Sequence, residues 1–261
     1  MRPISEMDVQ SVSEIRYVLT DMDETLTRHG RLHAATYCAL ESLQGAGVTV
    51  IINTAAPAGW CDQMARMWPV DGVIGENGGL FFRRGPHGSI VRDFWHDDPV
   101  AISGTLDSIT AEIMRRFEDL RLADDQPFRQ ASVVFSRDMD KDRQAEVVSE
   151  LRRLGASTAL NNLWLLAWVG RYDKLAMARR VLETHFSFDI DAQRSELAYV
   201  GDSENDGPMF DFFDHTFGVS TVVDALDRLV TPPRWITEGP GGGGFVEVAS
   251  VILRASAVHR T

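Results

Sequence analysis

The sequence predicts an α/β protein whose core is a doubly wound (Rossmann-like) parallel sheet, with an α+β domain inserted into it. Short β-branched or apolar runs alternate with helical periodicity over residues 17–74, and the same alternation returns at residue 170. Parallel strands that are covered by helices on both faces have this appearance. Between the two stretches the pattern changes to hairpins and separate helices, which predicts the insertion.

The core elements follow one another in a regular order. Strands are predicted at residues 17–20, 48–52, 72–74, 197–200 and 215–219, and helices at 32–43, 58–67 and 175–182. Glycines close the first helix, as they commonly do at helix ends. Residues 1–14 are predicted to be a loose lead-in. The glycine-rich stretch 239–244 is predicted to be a mobile loop before a final helix at 246–253.

We assign residues 1–85 and 170–261 to the core and residues 86–169 to the inserted domain. The insertion has predicted helices at 100–120 and 141–154, a strand at 132–135, and strand-like residues 157–169 with a turn near Asn161 and Asn162. The run 163–169 is apolar on both faces. Both faces are therefore predicted to be covered, either by plain core packing or by a helix on one side and a second chain or the substrate cleft on the other.

Composition and charge exclude several classes of protein. The chain has 261 residues, 44% hydrophobic and 25% charged, and a formal net charge of −12. Nucleic acids and anionic membranes bind basic surfaces, so neither is expected as a partner. Cys38 and Cys61 match no zinc spacing and form no disulfide framework. The sequence has no secretory signal and no apolar run of membrane-spanning length, so we expect a cytoplasmic protein.

Two acidic clusters come directly after predicted buried strands. Asp21 and Asp23 follow the first strand, and Asp202 and Asp206 follow the fourth. Ligands of doubly wound sheets bind at the carboxyl ends of the strands. Carboxylates that converge there repel one another unless a cation binds, and Mg²⁺ prefers such oxygen ligands. A polar turn and a helix-capping loop are the alternative interpretations.

Two further residues could bind a phosphate group. Thr54 ends the second strand, where its hydroxyl and the amides of the next helix could hold a phosphate oxygen. Lys174 begins the first helix after the insertion, and it could neutralise both a phosphate and Asp21. A lysine at a helix start is more often a solvated surface residue, so each signal is weak when taken singly.

Taken together, these residues resemble the four motifs of the haloacid dehalogenase (HAD) superfamily, in the same chain order. The first motif, D-x-D-x-T, begins at Asp21, Thr54 stands at the second, and Lys174 stands at the third. The fourth, G-D-x-x-N-D, contains Asp202 and Asp206. The resemblance extends over essentially the whole chain.

A further segment resembles one branch of this superfamily. Glu76, Asn77 and Gly78 resemble a segment of members with a large α/β cap inserted after the third core strand. That branch includes the sucrose-phosphate, trehalose-phosphate and mannosyl-phosphoglycerate phosphatases. The resemblance implies that the insertion is a cap that determines specificity, and that these three residues lie on the substrate side of the site.

The resemblance also implies catalytic roles. Asp21 would attack phosphorus and form an aspartyl-phosphate. Asp23 would protonate the leaving oxygen and then activate water. Thr54 and Lys174 would hold the phosphoryl oxygens. The implied activity is that of a phosphatase, with a sugar phosphate or a phosphoglycerate-type ester as the substrate.

The same resemblance implies a Mg²⁺ cofactor. Its ligands would be the Asp21 carboxylate, the Asp23 backbone carbonyl and the Asp202 carboxylate, with Asp206 in close support. The implied partner is therefore a small phosphorylated metabolite, bound by a monomer or a homodimer.

One departure from the motifs bears on substrate binding. Many relatives carry a basic residue two places after the second-motif threonine, where this chain has Ala56. We expect weaker binding or a different substrate, unless Arg171 or an arginine of the insertion compensates. A phosphomutase, a phospho-acceptor signalling module and a catalytically weak phosphate-binding protein stay open as alternatives.

Overall fold

The computed structural model describes residues 1–160 and 164–259. Its strands are β1 (Arg2–Pro3), β2 (Tyr17–Thr20), β3 (Thr27–Arg28), β4 (Arg31–Leu32), β5 (Thr49–Asn53), β6 (Gly72–Gly75), β7 (Leu80–Arg84), β8 (Ile90–Phe94), β9 (Ser132–Ser136), β10 (Ala156–Leu160), β11 (Trp164–Val169), β12 (Leu197–Gly201), β13 (His215–Gly218) and β14 (Trp235–Ile236). Its helices are α1 (Ala34–Gly45), α2 (Ala58–Met67), α3 (Pro99–Arg116), α4 (Lys141–Arg153), α5 (Lys174–Phe186), α6 (Gly207–Phe212) and α7 (Gly241–His259).

The larger sheet has the strand order β1-β14-β13-β12-β2-β5-β6-β7-β8. All neighbours from β1 to β6 are parallel, whereas β7 and β8 extend one edge as an antiparallel hairpin. The central strands β2, β12 and β6 are buried along their whole length, in agreement with their continuous apolar character.

Helices cover both faces of this sheet. Residues of α1, α2 and α7, including Leu40, Met64 and Ile252, form one apolar layer. Residues of α5 and α6, including Val181 and Met209, form the other. The predicted fold class, a doubly wound α/β core, is confirmed.

The smaller sheet is antiparallel, with the order β10-β11-β9. Helices α3 and α4 pack on one of its faces, against residues that include Leu165 and Ala167 of β11. The alternate residues of β11, Leu166 and Trp168, pack with Ala55 of the core. Both faces of β11 are therefore covered, the second by the core. The predicted turn at Asn161 and Asn162 lies outside the described residues.

Strand β8 bears on where the insertion begins, which the sequence analysis places at residue 86. Strand β8 lies within the predicted insertion, yet it pairs with β7 in the larger sheet. Its hydrogen bonds are made with the core, which places it outside the smaller sheet. We therefore propose that the insertion begins near residue 95 and ends, as predicted, near residue 169.

Two predictions about the ends of the described chain are wrong. Residues 1–14 are not a loose lead-in, because Ile4, Met7 and Val12 are buried and β1 pairs with β14. Residues 241–244 are the first turn of α7 instead of a loop. A β-carbon at Gly242 would lie 2.6 Å from the Leu26 carbonyl oxygen, so glycine permits this helix to pack closely. Among the described residues, no helix combines the length and apolar character that crossing a membrane requires.

Candidate active site

Three of the predicted site residues follow three neighbouring strands. Strand β2 lies between β12 and β5 in the larger sheet. Asp202 follows β12, Asp21 follows β2 and Thr54 follows β5, and all three residues are buried. Because these strands are parallel, their carboxyl ends lie at the same edge, where such sheets bind ligands.

Lys174 joins the acidic clusters. Its ammonium Nζ lies 2.8 Å from Asp21 Oδ1 and 2.7 Å from Asp206 Oδ1. Only 1% of the lysine side chain is exposed, so this is not the solvated helix-start lysine of the alternative interpretation. Burial by itself lowers the pKa of Lys174, but the Asp206 and Asp21 carboxylates outweigh that effect and leave the pKa above its usual value. Lys174 is therefore a fixed positive charge within the site.

Asp206 is held from several sides. Its Oδ1 accepts hydrogen bonds from Lys174 and the Tyr199 hydroxyl. Its Oδ2 accepts the backbone N–H groups of Asp202 and Ser203, each at 3.0 Å, and forms a capping box with Ser203. These donors occupy both oxygens, which favours a supporting role for Asp206 and disfavours direct metal ligation.

The local sequence explains why Asp206 can approach so closely. A β-carbon at Gly201 would lie 2.5 Å from the Asp206 carboxylate, so a larger residue would push this group away. Close packing therefore explains why the first position of the G-D-x-x-N-D motif is glycine in this chain.

Carboxylates converge at this edge of the sheet. One oxygen from each of Asp21, Asp202 and Asp206 lies within 4.8 Å of the others. Burial, together with the charges of Asp21 and Asp206, raises the pKa of Asp202 well above its usual value. Burial also raises the pKa of Asp21 to about 7, although Lys174 opposes the shift. A divalent cation with oxygen ligands would relieve this repulsion, so the donor set fits Mg²⁺.

Asp23 has a different environment. It is half-buried, and burial raises its pKa to about 6, with Lys174 opposing the shift, Glu24 adding to it and Arg129 opposing it. A carboxyl group with this pKa exists in both protonation states near neutral pH. That property is what a group that first donates and later accepts a proton requires.

The second-motif segment is tied to the rest of the site. The Thr54 side chain is fully buried, and its hydroxyl oxygen accepts the Ala56 N–H at 3.0 Å. The preceding Asn53 donates from its side chain to the Lys174 carbonyl at 3.0 Å. From the insertion, Arg129 Nη1 donates to the Ala55 carbonyl at 2.9 Å. An arginine of the insertion therefore lies beside the segment in which the motif arginine is missing.

The segment predicted on the substrate side is buried at the junction of the two sheets. Glu76 is 0% exposed and Asn77 is 4% exposed. The Glu76 carboxylate accepts hydrogen bonds from both the core and the insertion. Gly78 has a φ of +106°, and a β-carbon there would lie 2.3 Å from the Asp173 carbonyl oxygen. These contacts indicate a role at the junction, and the substrate-side position of these residues stays a prediction.

Comparisons with known proteins support the motif resemblance. No protein-family model matches the chain. A phosphoglycolate phosphatase of Methanoculleus marisnigri is 28% identical over 240 residues, which cover 89% of this chain and 94% of the relative. A phosphatase of the HAD superfamily from Bacteroides thetaiotaomicron has a similar structure, with a TM-score of 0.65 and 18% identity. That similarity covers 95% of this chain and 98% of the other. The chain has the HAD fold.

Another solved structure matches the chain over nearly its whole length. The sucrose-phosphatase of Synechocystis, solved in complex with sucrose and phosphate, has a TM-score of 0.66 and 15% identity. The match covers 90% of this chain and 97% of the sucrose-phosphatase. The similarity therefore includes both the core and the insertion, and the predicted resemblance is confirmed at the level of the fold.

Around the candidate site, the sequence analysis missed two residues and the junction role of a third. Tyr199 was interpreted only as part of a buried strand, yet its hydroxyl bonds Asp206. Glu76 was not predicted to join the two sheets, and Arg129 was not singled out. A polar hydroxyl within an otherwise apolar strand is the one local signal that could have indicated Tyr199.

Proposed function

We propose that the chain is a Mg²⁺-dependent phosphomonoester hydrolase that works through an aspartyl-phosphate on Asp21. The observation that carries the proposal is the convergence of Asp21, Asp202 and Asp206 on the buried ammonium of Lys174. A structural role alone does not account for so many buried charges, because each is costly to remove from water.

In the first proposed step, Asp21 attacks the substrate phosphorus. Lys174 contacts Oδ1 of Asp21, which leaves Oδ2 as the attacking oxygen. The new O–P bond forms as the ester O–P bond breaks, and Asp23 in its protonated form gives its proton to the leaving oxygen. Lys174 and Thr54 hold the phosphoryl oxygens during the transfer.

In the second step, water hydrolyses the aspartyl-phosphate. Asp23, now ionised, takes a proton from the water while the water oxygen bonds to phosphorus. The bond between phosphorus and Asp21 then breaks, so that inorganic phosphate leaves and both carboxyl groups return to their starting states. One residue thus serves as acid and then as base, which the intermediate pKa of Asp23 permits.

The proposed Mg²⁺ ligands are the Asp21 and Asp202 carboxylates and the Asp23 carbonyl, with Asp206 as support. When bound, Mg²⁺ would neutralise the charge that carboxylates and phosphoryl oxygens share at this edge of the sheet. Thr25 assists by donating its hydroxyl to Asp202 Oδ1 at 3.2 Å, which helps to orient that carboxylate.

We propose a small phosphorylated metabolite as the substrate, bound in a cytoplasmic protein. The similar proteins are described as a phosphoglycolate phosphatase and a sucrose-phosphatase. A phosphorylated small acid and a sugar phosphate are therefore the two substrate classes to compare. In this proposal the insertion acts as a cap that excludes bulk water and contacts the organic part of the substrate.

The test is a phosphate-release assay with phosphoglycolate, phosphoglycerates, sugar phosphates and p-nitrophenyl phosphate, with and without Mg²⁺. The proposal predicts release of inorganic phosphate from at least one ester, only when the metal is present. A product in which the phosphate has moved to another hydroxyl of the same sugar would indicate a mutase. Failure with every ester would overturn the proposal.

Substituting Asp202 by Asn should abolish Mg²⁺ binding and Mg²⁺-dependent hydrolysis. The amide removes a negative charge from the cluster but keeps the shape of the side chain, so the fold should persist. Isothermal titration calorimetry with MgCl₂ measures the binding directly. Asp191→Asn, at an exposed position outside the site, is the control and should bind as the unsubstituted protein does. Unchanged Mg²⁺ affinity in Asp202→Asn would show that the ion binds elsewhere.

Mg²⁺ should stabilise the protein more at about pH 8 than at about pH 5. The pKa values of Asp21 and Asp23 are about 7 and about 6 in the folded chain, against an ordinary value of 3.8. Raised pKa values favour the folded state at low pH, and this contribution is lost as the pH rises through 6 and 7. Mg²⁺ binds the ionised carboxylates and should offset that loss.

Thermal melts with and without Mg²⁺ at each pH measure the stabilisation by the ion. Carboxylates elsewhere affect the melting temperature equally with and without Mg²⁺, so their contribution cancels. An Mg²⁺-induced rise in melting temperature that is equal at both pH values would contradict the account.

A further inference from the structure

Glu76 joins the core to the cap through four hydrogen bonds. Its Oε1 accepts the N–H of Ala58 at 3.0 Å and that of Gln130 at 2.8 Å. Its Oε2 accepts the N–H of Ala131 at 2.9 Å and the hydroxyl of Ser132 at 2.6 Å. One donor belongs to the first turn of α2 in the core, and the other three belong to the cap. A single carboxylate thus spans both parts of the protein.

This arrangement is stable only while the cap stays in place. The Glu76 side chain is 0% exposed, so its oxygens have no access to bulk water as an alternative partner. A buried carboxylate that loses its donors is left with the cost of burial, and hydrogen bonds to charged groups are among the stronger ones. Glu76 also has a φ of +48°, a conformation that few non-glycine residues adopt, so the surrounding structure holds it there.

The segment that Glu76 binds also positions Arg129. The Arg129 guanidinium bonds the Ala55 carbonyl in the core, and its other edge forms a two-bond pair with Asp125, at 2.9 and 2.8 Å. Its side chain is 2% exposed. Arg129 directly precedes Gln130, whose N–H bonds Glu76.

We propose that Glu76 is a positioning residue that fixes the cap segment 130–132 on the core and thereby sets Arg129 beside the second motif. Arg129 then supplies, from the cap, the positive charge that Ala56 does not supply from the core. This inference rests on the proposed function for its catalytic consequence, but the contacts on which it depends do not involve the reaction.

Aromatic contacts beside the same segment support a fixed junction. The Tyr172 hydroxyl donates to the Ala131 carbonyl at 3.0 Å, and the rings of Trp60 on α2 and Phe128 in the cap lie 5.0 Å apart. The cap is therefore held at this end.

The first test is hydrogen exchange followed by mass spectrometry on the full chain. In Glu76→Ala, the amides of Gln130 and Ala131 lose their acceptor, so their exchange should accelerate about tenfold or more, while β2 should be unaffected. Glu76→Gln keeps one acceptor oxygen and should give a smaller effect. Unchanged exchange at Gln130 and Ala131 in both variants would overturn the proposal. This readout needs no activity, so it stands even if the proposed phosphatase function fails.

The second test separates positioning from a general loss of structure. With a metabolite ester as substrate, we expect KM to rise about tenfold in Glu76→Ala, less in Glu76→Gln and least in Ser132→Ala, which removes only one donor. The kcat with p-nitrophenyl phosphate should change much less than this KM.

The matched control is Glu150→Gln, which alters another buried glutamate of the cap. Glu150 is 5% exposed and pairs with Arg116 and Arg153, all within the cap. This variant should leave KM unchanged. An equal KM increase in Glu150→Gln and Glu76→Gln would show that Glu76 only stabilises the structure and does not position Arg129.

Discussion

Asp21→Asn should lower the rate of hydrolysis of every phosphate ester that the protein accepts by about 10⁴-fold or more. The amide has nearly the shape of the carboxylate, but it lacks the charge and the lone-pair nucleophilicity that attack on phosphorus requires. Because burial raises the pKa of Asp21, the neutral amide should not destabilise the metal-free fold above pH 7. Loss of activity with an intact thermal melt is therefore the expected combination.

Steady-state phosphate release and a circular-dichroism melt on the same preparation check this prediction. Asp227→Asn, at an exposed position, is the control and should retain full activity. Residual activity within about tenfold of the unsubstituted protein would rule out Asp21 as the nucleophile.

Lys174→Met should be both inactive and unstable. The substitution keeps an unbranched side chain of similar length but leaves Asp21 and Asp206 without the ammonium that both carboxylates contact. Removing one partner from a buried ionic cluster costs about 3–5 kcal/mol. Loss of a charge that holds the phosphoryl group should lower kcat about 10²-fold or more. Urea unfolding at about pH 8 without metal measures the loss of stability.

The chain offers a close control for this substitution. Its two lysines are Lys141 and Lys174, each the first residue of a helix that follows an aspartate cap. Lys141 is exposed, so Lys141→Met should change stability by less than about 0.5 kcal/mol and leave kcat unchanged. Equal destabilisation by the two substitutions would show that the loss of stability comes from the position at the helix start and not from the buried cluster.

The centre of the site was predictable because its signals are local. Asp21 and Asp202 each follow a short, continuously apolar run, and such runs form neighbouring parallel strands here. The edge of the sheet at which these carboxylates emerge then follows from the direction of the chain. The structure brings Lys174 to the same edge, where it contacts Asp21 and where Asn53, next to Thr54, donates to its carbonyl.

The junction between core and cap was not predictable in the same way. Glu76 and its partners Gln130 to Ser132 are 54 to 56 residues apart, so no local periodicity records their contact. The same reason applies to Arg129, which meets Ala55 across 74 residues. Sequence patterns report which face of an element is apolar, but not which distant polar group will satisfy a buried carboxylate.

One error of local structure has an identifiable cause. The run of glycines at 239–244 has low helix propensity, but close packing of α7 on Leu26 and Thr36 outweighs that cost. Tertiary contacts thus outweighed the local preference.

The central claim is that phosphate is transferred to the Asp21 carboxylate during turnover. Rapid acid quench of the protein with a ³²P-labelled ester and Mg²⁺, followed by peptide mapping, measures this directly. The account predicts a label that hydroxylamine removes, on the peptide that contains Asp21, and no label in Asp21→Asn. A phosphorylated residue elsewhere, or turnover with no labelled protein at any quench time, would contradict it.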